Sequence, residues 1–154
     1  MSTNHQAPIR LTRSAIVHLG QNLALRVIDV DDTYWEHRDA SPELSDGRVL
    51  SVFHYTGTWT WWERHPDGDE LAYLLEGAVE VLLDDGVGRD RLQLLPGESA
   101  IVPSGSWHSV SMTEPATILF VTPTPARTQH RPVLEGDEVL RGVATAPALD
   151  GPGQ

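Results

Sequence analysis

Residues 57–77 read G-T-W-T-W-W-E-R-H-P-D-G-D-E-L-A-Y-L-L-E-G and place Glu63, His65 and Glu70 within eight positions. In a strand, positions i and i+2 share a face, so Glu63 and His65 point the same way, with Trp59 and Trp61 in register behind them. Pro66-Asp67-Gly68-Asp69 is a turn cluster, and Glu70 opens the next apolar segment. A hairpin there returns the Glu70 carboxylate to the His65 imidazole. Further along, residues 97–112, G-E-S-A-I-V-P-S-G-S-W-H-S-V-S-M, supply one more imidazole at His108. We expect the fold to gather Glu63, His65, Glu70 and His108 around one metal ion. Imidazole nitrogen and carboxylate oxygen on a rigid sheet suit Zn, Fe, Mn, Ni or Co. Taken singly, a strand histidine is more often a satisfied core residue and a turn glutamate a solvated one. Their joint placement is what points to a metal.

Outward from these stretches the same rhythm continues. Short apolar or alternating segments recur at Val49–Tyr55, Trp59–Glu63, Leu71–Glu76, Ala78–Leu83, Arg91–Leu94, Ser99–Val102, His108–Met112 and Thr117–Thr122. Turn residues separate them every 8–12 positions, with Asp84-Asp85-Gly86 the strongest hairpin signal. Many short strands without a long 3.6-residue period predict an all-β barrel or sandwich. Upstream, Ser14–Leu19 and Leu23–Val30 read as short strands, and 31–47 as an acidic loop with at most one helical turn. Past Thr122 the chain turns rich in Pro, Gly and Thr. Its middle is expected to lie over the barrel or a neighbouring subunit, and its last dozen residues to be disordered.

Composition excludes several chemistries. The 154 residues contain no cysteine, so disulfides, thiolate metal sites and thiol nucleophiles are ruled out. All 11 basic residues are arginine, which removes lysine Schiff-base chemistry. A net charge of -11 lacks the basic footprint of a nucleic-acid binder and reads as a solubilising surface. No apolar run is long enough to span a membrane, and the first 20 residues lack a secretory pattern, so a cytoplasmic location is expected.

The two stretches resemble the two motifs of the cupin superfamily, small β-barrels built as a double-stranded β-helix (a jelly-roll-like barrel). The first motif reads Gly, five residues, His-x-His, three or four residues, Glu, six residues, Gly. Here it runs Gly57, Glu63-Arg64-His65, Glu70, Gly77. The second reads Gly, five residues, Pro-x-Gly, two residues, His, three residues, Asn. Here it runs Gly97, Pro103-Ser104-Gly105, His108, Met112. Eight of the ten motif positions match, with 19 residues between the motifs. The resemblance divides the chain into N-terminal strands and loop (1–47), barrel (48–122) and C-terminal extension (123–154). It places His65, Glu70 and His108 on metal-ligand positions and puts Glu63 where the family has its first histidine. Glu63 then ligates as a harder oxygen donor, stands off the ion as a general base, or marks a barrel that has lost its metal.

On strand parity Trp59 and Trp61 face the interior, and Val110 and Met112, in register with His108, extend an apolar wall. Trp62 and Trp107 have the other parity and read as packing or interface residues, and Tyr73 as an outward one. His54 lies outside the motifs, and His5, His18, His37 and His130 sit in terminal or loop contexts that read as solvated. The expectation is a metal-dependent enzyme, an oxygenase or a cyclase/isomerase, acting on a small and aromatic metabolite. One divalent ion (Fe, Mn, Ni or Zn) serves it, and Glu63 or Glu70 moves a proton. The other reading is a non-catalytic ligand-binding or sensing barrel. The resemblance further implies a homodimer.

Overall fold

A computed structural model describes residues 10–11, 15–31, 33–34, 44–123, 127–134 and 137. Eleven strands are present among them: β1 (Ala15–Leu19), β2 (Leu25–Asp29), β3 (Arg48–Tyr55), β4 (Trp61–Arg64), β5 (Glu70–Glu76), β6 (Val79–Asp84), β7 (Arg89–Leu94), β8 (Ser99–Val102), β9 (Trp107–Met112), β10 (Ala116–Pro123) and β11 (Gln129–Pro132). They form a six-stranded sheet in the order β2-β1-β3-β10-β5-β8 and a five-stranded sheet in the order β11-β4-β9-β6-β7. Every pairing is antiparallel. The expected all-β jelly roll is the observed fold. No helix among the described residues is long and apolar enough to cross a membrane.

Period-2 alternation decides what each strand buries. On β3, Val49, Ser51, Phe53 and Tyr55 turn inward while the residues between them are more exposed. On β10, Ala116, Ile118 and Phe120 do the same from the neighbouring strand. The apolar ones among these side chains join Trp59, Trp61, Leu74, Val81, Val110 and Met112 in one core between the sheets. At about 25 cal/mol per Å² of apolar surface, this burial is the main force holding the sheets face to face.

The turns follow their residues. Asp84-Asp85-Gly86 closes the β6–β7 hairpin: Gly86 takes a φ of 87°, and Asp85 Oδ1 accepts from the Val87 and Gly88 amides at 2.8 Å each. Gly77, between β5 and β6, has a φ of 88°, and a Cβ there meets the Pro115 carbonyl oxygen at 2.4 Å. Only glycine serves at that motif position.

One feature departs from expectation. β11 lies in the extension read as Pro- and Thr-rich, yet it pairs with β4 along Gln129–Arg64, His130–Glu63, Arg131–Trp62 and Pro132–Trp61. Its sequence, Q-H-R-P, carries no alternation by which a strand is recognised. Within 31–47, Thr33 and Tyr34 form the helical piece that is described, and Leu44 is fully buried in the core. His5, His37 and the last dozen residues lie outside the described residues.

Candidate metal centre

β4 carries Glu63 directly opposite His108 on β9, so the five-stranded sheet presents a carboxylate and an imidazole side by side. Glu70 opens β5 in the other sheet, and His65 begins the turn after β4. Two turns hold these elements in place. The Gly105 amide donates to the His65 carbonyl at 2.9 Å. Ser104 donates through its amide to Asp69 Oδ1 at 2.8 Å and through its hydroxyl to the Pro66 carbonyl at 3.0 Å. The Pro66–Asp69 and Pro103–Gly105 turns are thereby tied together, and the rings of His65 and His108 stand 5.3 Å apart.

Between these rings sits Glu70. Its Oε2 is 3.1 Å from His65 Nε2 and its Oε1 is 3.1 Å from His108 Nε2. Thr122 donates its hydroxyl to Glu70 Oε2 at 2.6 Å. His65 Nδ1 lies 3.0 Å from the Thr128 hydroxyl, which leaves Nε2 turned to the centre. Glu63 Oε1 is 3.7 Å from His65 Nε2 and 3.6 Å from His130 Nε2. One ligand-type atom from each of Glu63, His65 and His108 falls within 4.8 Å of the others. All four side chains are buried.

Burial alone pushes the carboxyls of Glu63 and Glu70 up, yet both lie below the usual carboxylate range. For Glu70 the attraction of His65 and His108 overcomes desolvation. For Glu63 the pull of His130 and His65 does so, against repulsion from Glu70. Both are therefore anionic at neutral pH.

The donor set fits a divalent cation. Two carboxylates neutralise it, and two imidazoles complete a mixed N/O shell. Both ring nitrogens of His108 and Oε1 of Glu70 are buried without a hydrogen bond, although Nε2 and Oε1 approach closely. Buried polar atoms left in that condition cost about 1–3 kcal/mol each, a cost that an ion held by His108 Nε2 and Glu70 Oε1 removes for those two atoms.

Around this centre the parity reading holds. Trp59 and Trp61 stack at 4.6 Å and 16° inside the barrel, with Trp59 5.9 Å from the His108 ring. Their indole N–H groups are buried with no acceptor among the described residues. Val110 and Met112 are buried in the same core, and Tyr73 is half-buried on the opposite parity from Glu70. Trp62 is buried, but in a separate cluster with Leu82, Trp107 and Val133 on the outer face of the five-stranded sheet. His54 is exposed and paired with Thr117 at 3.0 Å, away from the centre.

Two histidines correct the solvated reading. His18 is buried on β1, its Nε2 2.7 Å from the Asp46 carbonyl oxygen, because β1 pairs with β3 beneath the loop that ends at Gly47. His130 stands beside Glu63, because the β11–β4 register places them opposite each other. Neither fact has a signal in the local sequence: both depend on which strand becomes the neighbour.

No curated protein matches the chain. Among solved structures it is similar to a cupin-2 domain protein from Shewanella frigidimarina, with 24% identity over 49% of this chain and 70% of that one, at a TM-score of 0.43. It is similar also to hydroquinone 1,2-dioxygenase from Sphingomonas sp. with 4-hydroxybenzoate bound, with 21% identity over 49% of this chain and 59% of that one, at a TM-score of 0.44. A third is oxalate decarboxylase from Bacillus subtilis, with 21% identity over 58% of this chain and only 25% of that one, at a TM-score of 0.49. At these identities the likeness says nothing of substrate or reaction. The family model described as the cupin domain matches residues 51–122, the stretch that holds Glu63, His65, Glu70 and His108. That stretch, just under half of the chain, is what the chain shares with the cupin family.

Proposed function

We propose that this protein is a metal-dependent cupin enzyme acting on a small aromatic metabolite, of oxygenase or cyclase/isomerase type. The observation that carries the reading is the convergence of Glu63, His65, Glu70 and His108 beside the stacked indoles of Trp59 and Trp61. His65, Glu70 and His108 hold the ion, and Glu63 supplies an oxygen ligand where a third histidine is usual. When bound, a divalent Fe, Mn, Ni or Zn supplies Lewis acidity or, with iron, dioxygen chemistry.

The chain's own groups do the rest. Stacked indoles give a flat apolar wall on which an aromatic ring packs. Their N–H groups are donors suited to an oxygen-bearing substituent such as a phenol or carboxylate. Glu63 is the less buried of the two carboxylates, and its second oxygen, the one not on the ion, takes the substrate proton. Burial of the whole cluster excludes bulk water and strengthens each of these interactions.

Elemental analysis of untagged protein, followed by turnover assays of the loaded protein with phenolic and aromatic carboxylic compounds, tests this reading. About one equivalent of metal and consumption of a compound are expected. Protein that stays metal-free after reconstitution would sink the reading. Binding without consumption favours a ligand-binding barrel, the reading that the replacement of the first motif histidine by Glu63 supports.

A further inference from the structure

Among the described histidines, His130 alone lies outside the motif stretches and yet reaches the metal centre. It stands on β11, a strand beyond the matched cupin domain, and faces Glu63 across the β11–β4 ladder. Two residues earlier, Thr128 places its hydroxyl 3.0 Å from His65 Nδ1. One short segment therefore touches two of the four residues assigned to the ion. The same segment is fastened from the other side. Arg131 lies over Trp62 at 4.9 Å and Trp107 at 5.1 Å, Gln129 accepts from Arg64 at 2.9 Å, and the Val133 amide donates to the Thr60 carbonyl at 2.9 Å.

We infer that the 128–130 segment is a supporting part of the metal centre, with His130 positioning the Glu63 carboxylate and Thr128 orienting the His65 ring. This rests on the metal reading above. Glu63 replaces a rigid imidazole by a more freely rotating carboxylate, which a partner on its outer side serves to aim. His65 Nε2 stands 3.7 Å from Glu63 Oε1 on the centre's side, and His130 Nε2 stands 3.6 Å from the same oxygen across the strand pair. Partners of this kind fix a ligand's orientation, and removing one weakens metal affinity about 10- to 100-fold. His130 acts through Glu63 and is a positioning residue, not a ligand.

Co²⁺ titration of the full chain, read by its visible d–d absorption, tests this with a double-mutant cycle. His130→Ala is expected to weaken Co²⁺ affinity about 10-fold and to alter the absorption bands, while His130→Gln, which keeps a donor, recovers most of both. Because His130 works through Glu63, the Glu63→Ala/His130→Ala double variant should bind no more weakly than Glu63→Ala alone. Thr128→Val should weaken binding to a similar degree, and Thr128→Ser should restore it. Unchanged affinity and spectrum in His130→Ala, with wild-type binding intact, overturns the inference but leaves the metal reading standing. Losses that multiply in the double variant overturn it too, since they make His130 an independent ligand. Absence of Co²⁺ binding in the wild type removes both.

Discussion

The two faces of β4 are built from alternate residues of one stretch and meet opposite fates. Inward, Trp59 (just before the strand), Trp61 and Glu63 lead to His65 and a cluster whose polar atoms are buried and incompletely hydrogen-bonded by the protein itself. Outward, Trp62 and Arg64 join Trp107, Arg89 and Arg131 in a ladder of guanidinium and indole planes. Asp137 closes that ladder, accepting from the Trp62 indole at 3.3 Å and pairing with Arg89 at 3.2 Å. The outer face satisfies its charges with its own residues, so its work is structural. The inner face gathers two carboxylates and two imidazoles with their ligand-type atoms turned toward one another, an arrangement a divalent cation fits. Polar burial without self-satisfaction is what separates a site from a fold element here.

The sharpest break of this contrast is on the inner face. His65→Ala or His108→Ala should abolish stoichiometric metal binding while far-ultraviolet circular dichroism stays native. Full metal occupancy in either variant would falsify the centre. On the outer face, Trp62→Ala should lower unfolding free energy by about 3–5 kcal/mol, as for a fully buried tryptophan, while Zn²⁺ affinity of the folded protein holds. A matching loss of affinity would show that the two faces are not separable.

A milder change sharpens the role of Glu63. Glu63→His should tighten Zn²⁺ or Ni²⁺ binding, since imidazole suits those ions better than a carboxylate. It should also make affinity indifferent to His130→Ala, because the carboxylate that His130 aims is gone. Weaker binding by Glu63→His in isothermal titration would mean that the carboxylate is matched to this centre.

Acid separates the faces as well. Glu70 in the folded protein titrates below its ordinary 4.5, so the stability it lends is complete above that value and is lost as pH falls toward the folded value. The urea midpoint of the metal-free protein should drop between about pH 5 and pH 3, with a shallower drop in Glu70→Gln. An identical slope in that variant would assign the acid sensitivity elsewhere. The smallest effect expected is that of Arg131→Ala, about 0.5–1 kcal/mol from a stacked, partly exposed guanidinium, read as a lower melting temperature.

What local sequence determined was everything that period-2 patterning and motif spacing encode. Ten of the eleven strands, the β6–β7 hairpin, the inward parity of Trp59, Trp61, Val110 and Met112, and the outward parity of Trp62 were legible because a strand's faces follow from counting by two. His65, Glu70 and His108 could be singled out because turn residues hold them at fixed spacings. Tertiary structure alone decided which strand lies next to which. That choice buried His18 under the 44–47 loop, turned the Pro- and Thr-rich tail into β11, and set His130 against Glu63. Such neighbours arise from pairing between strands distant in sequence, His18 on β1 facing Val49 on β3 and His130 on β11 facing Glu63 on β4, where hydrogen bonding between backbones fixes register and the intervening sequence carries no trace of it.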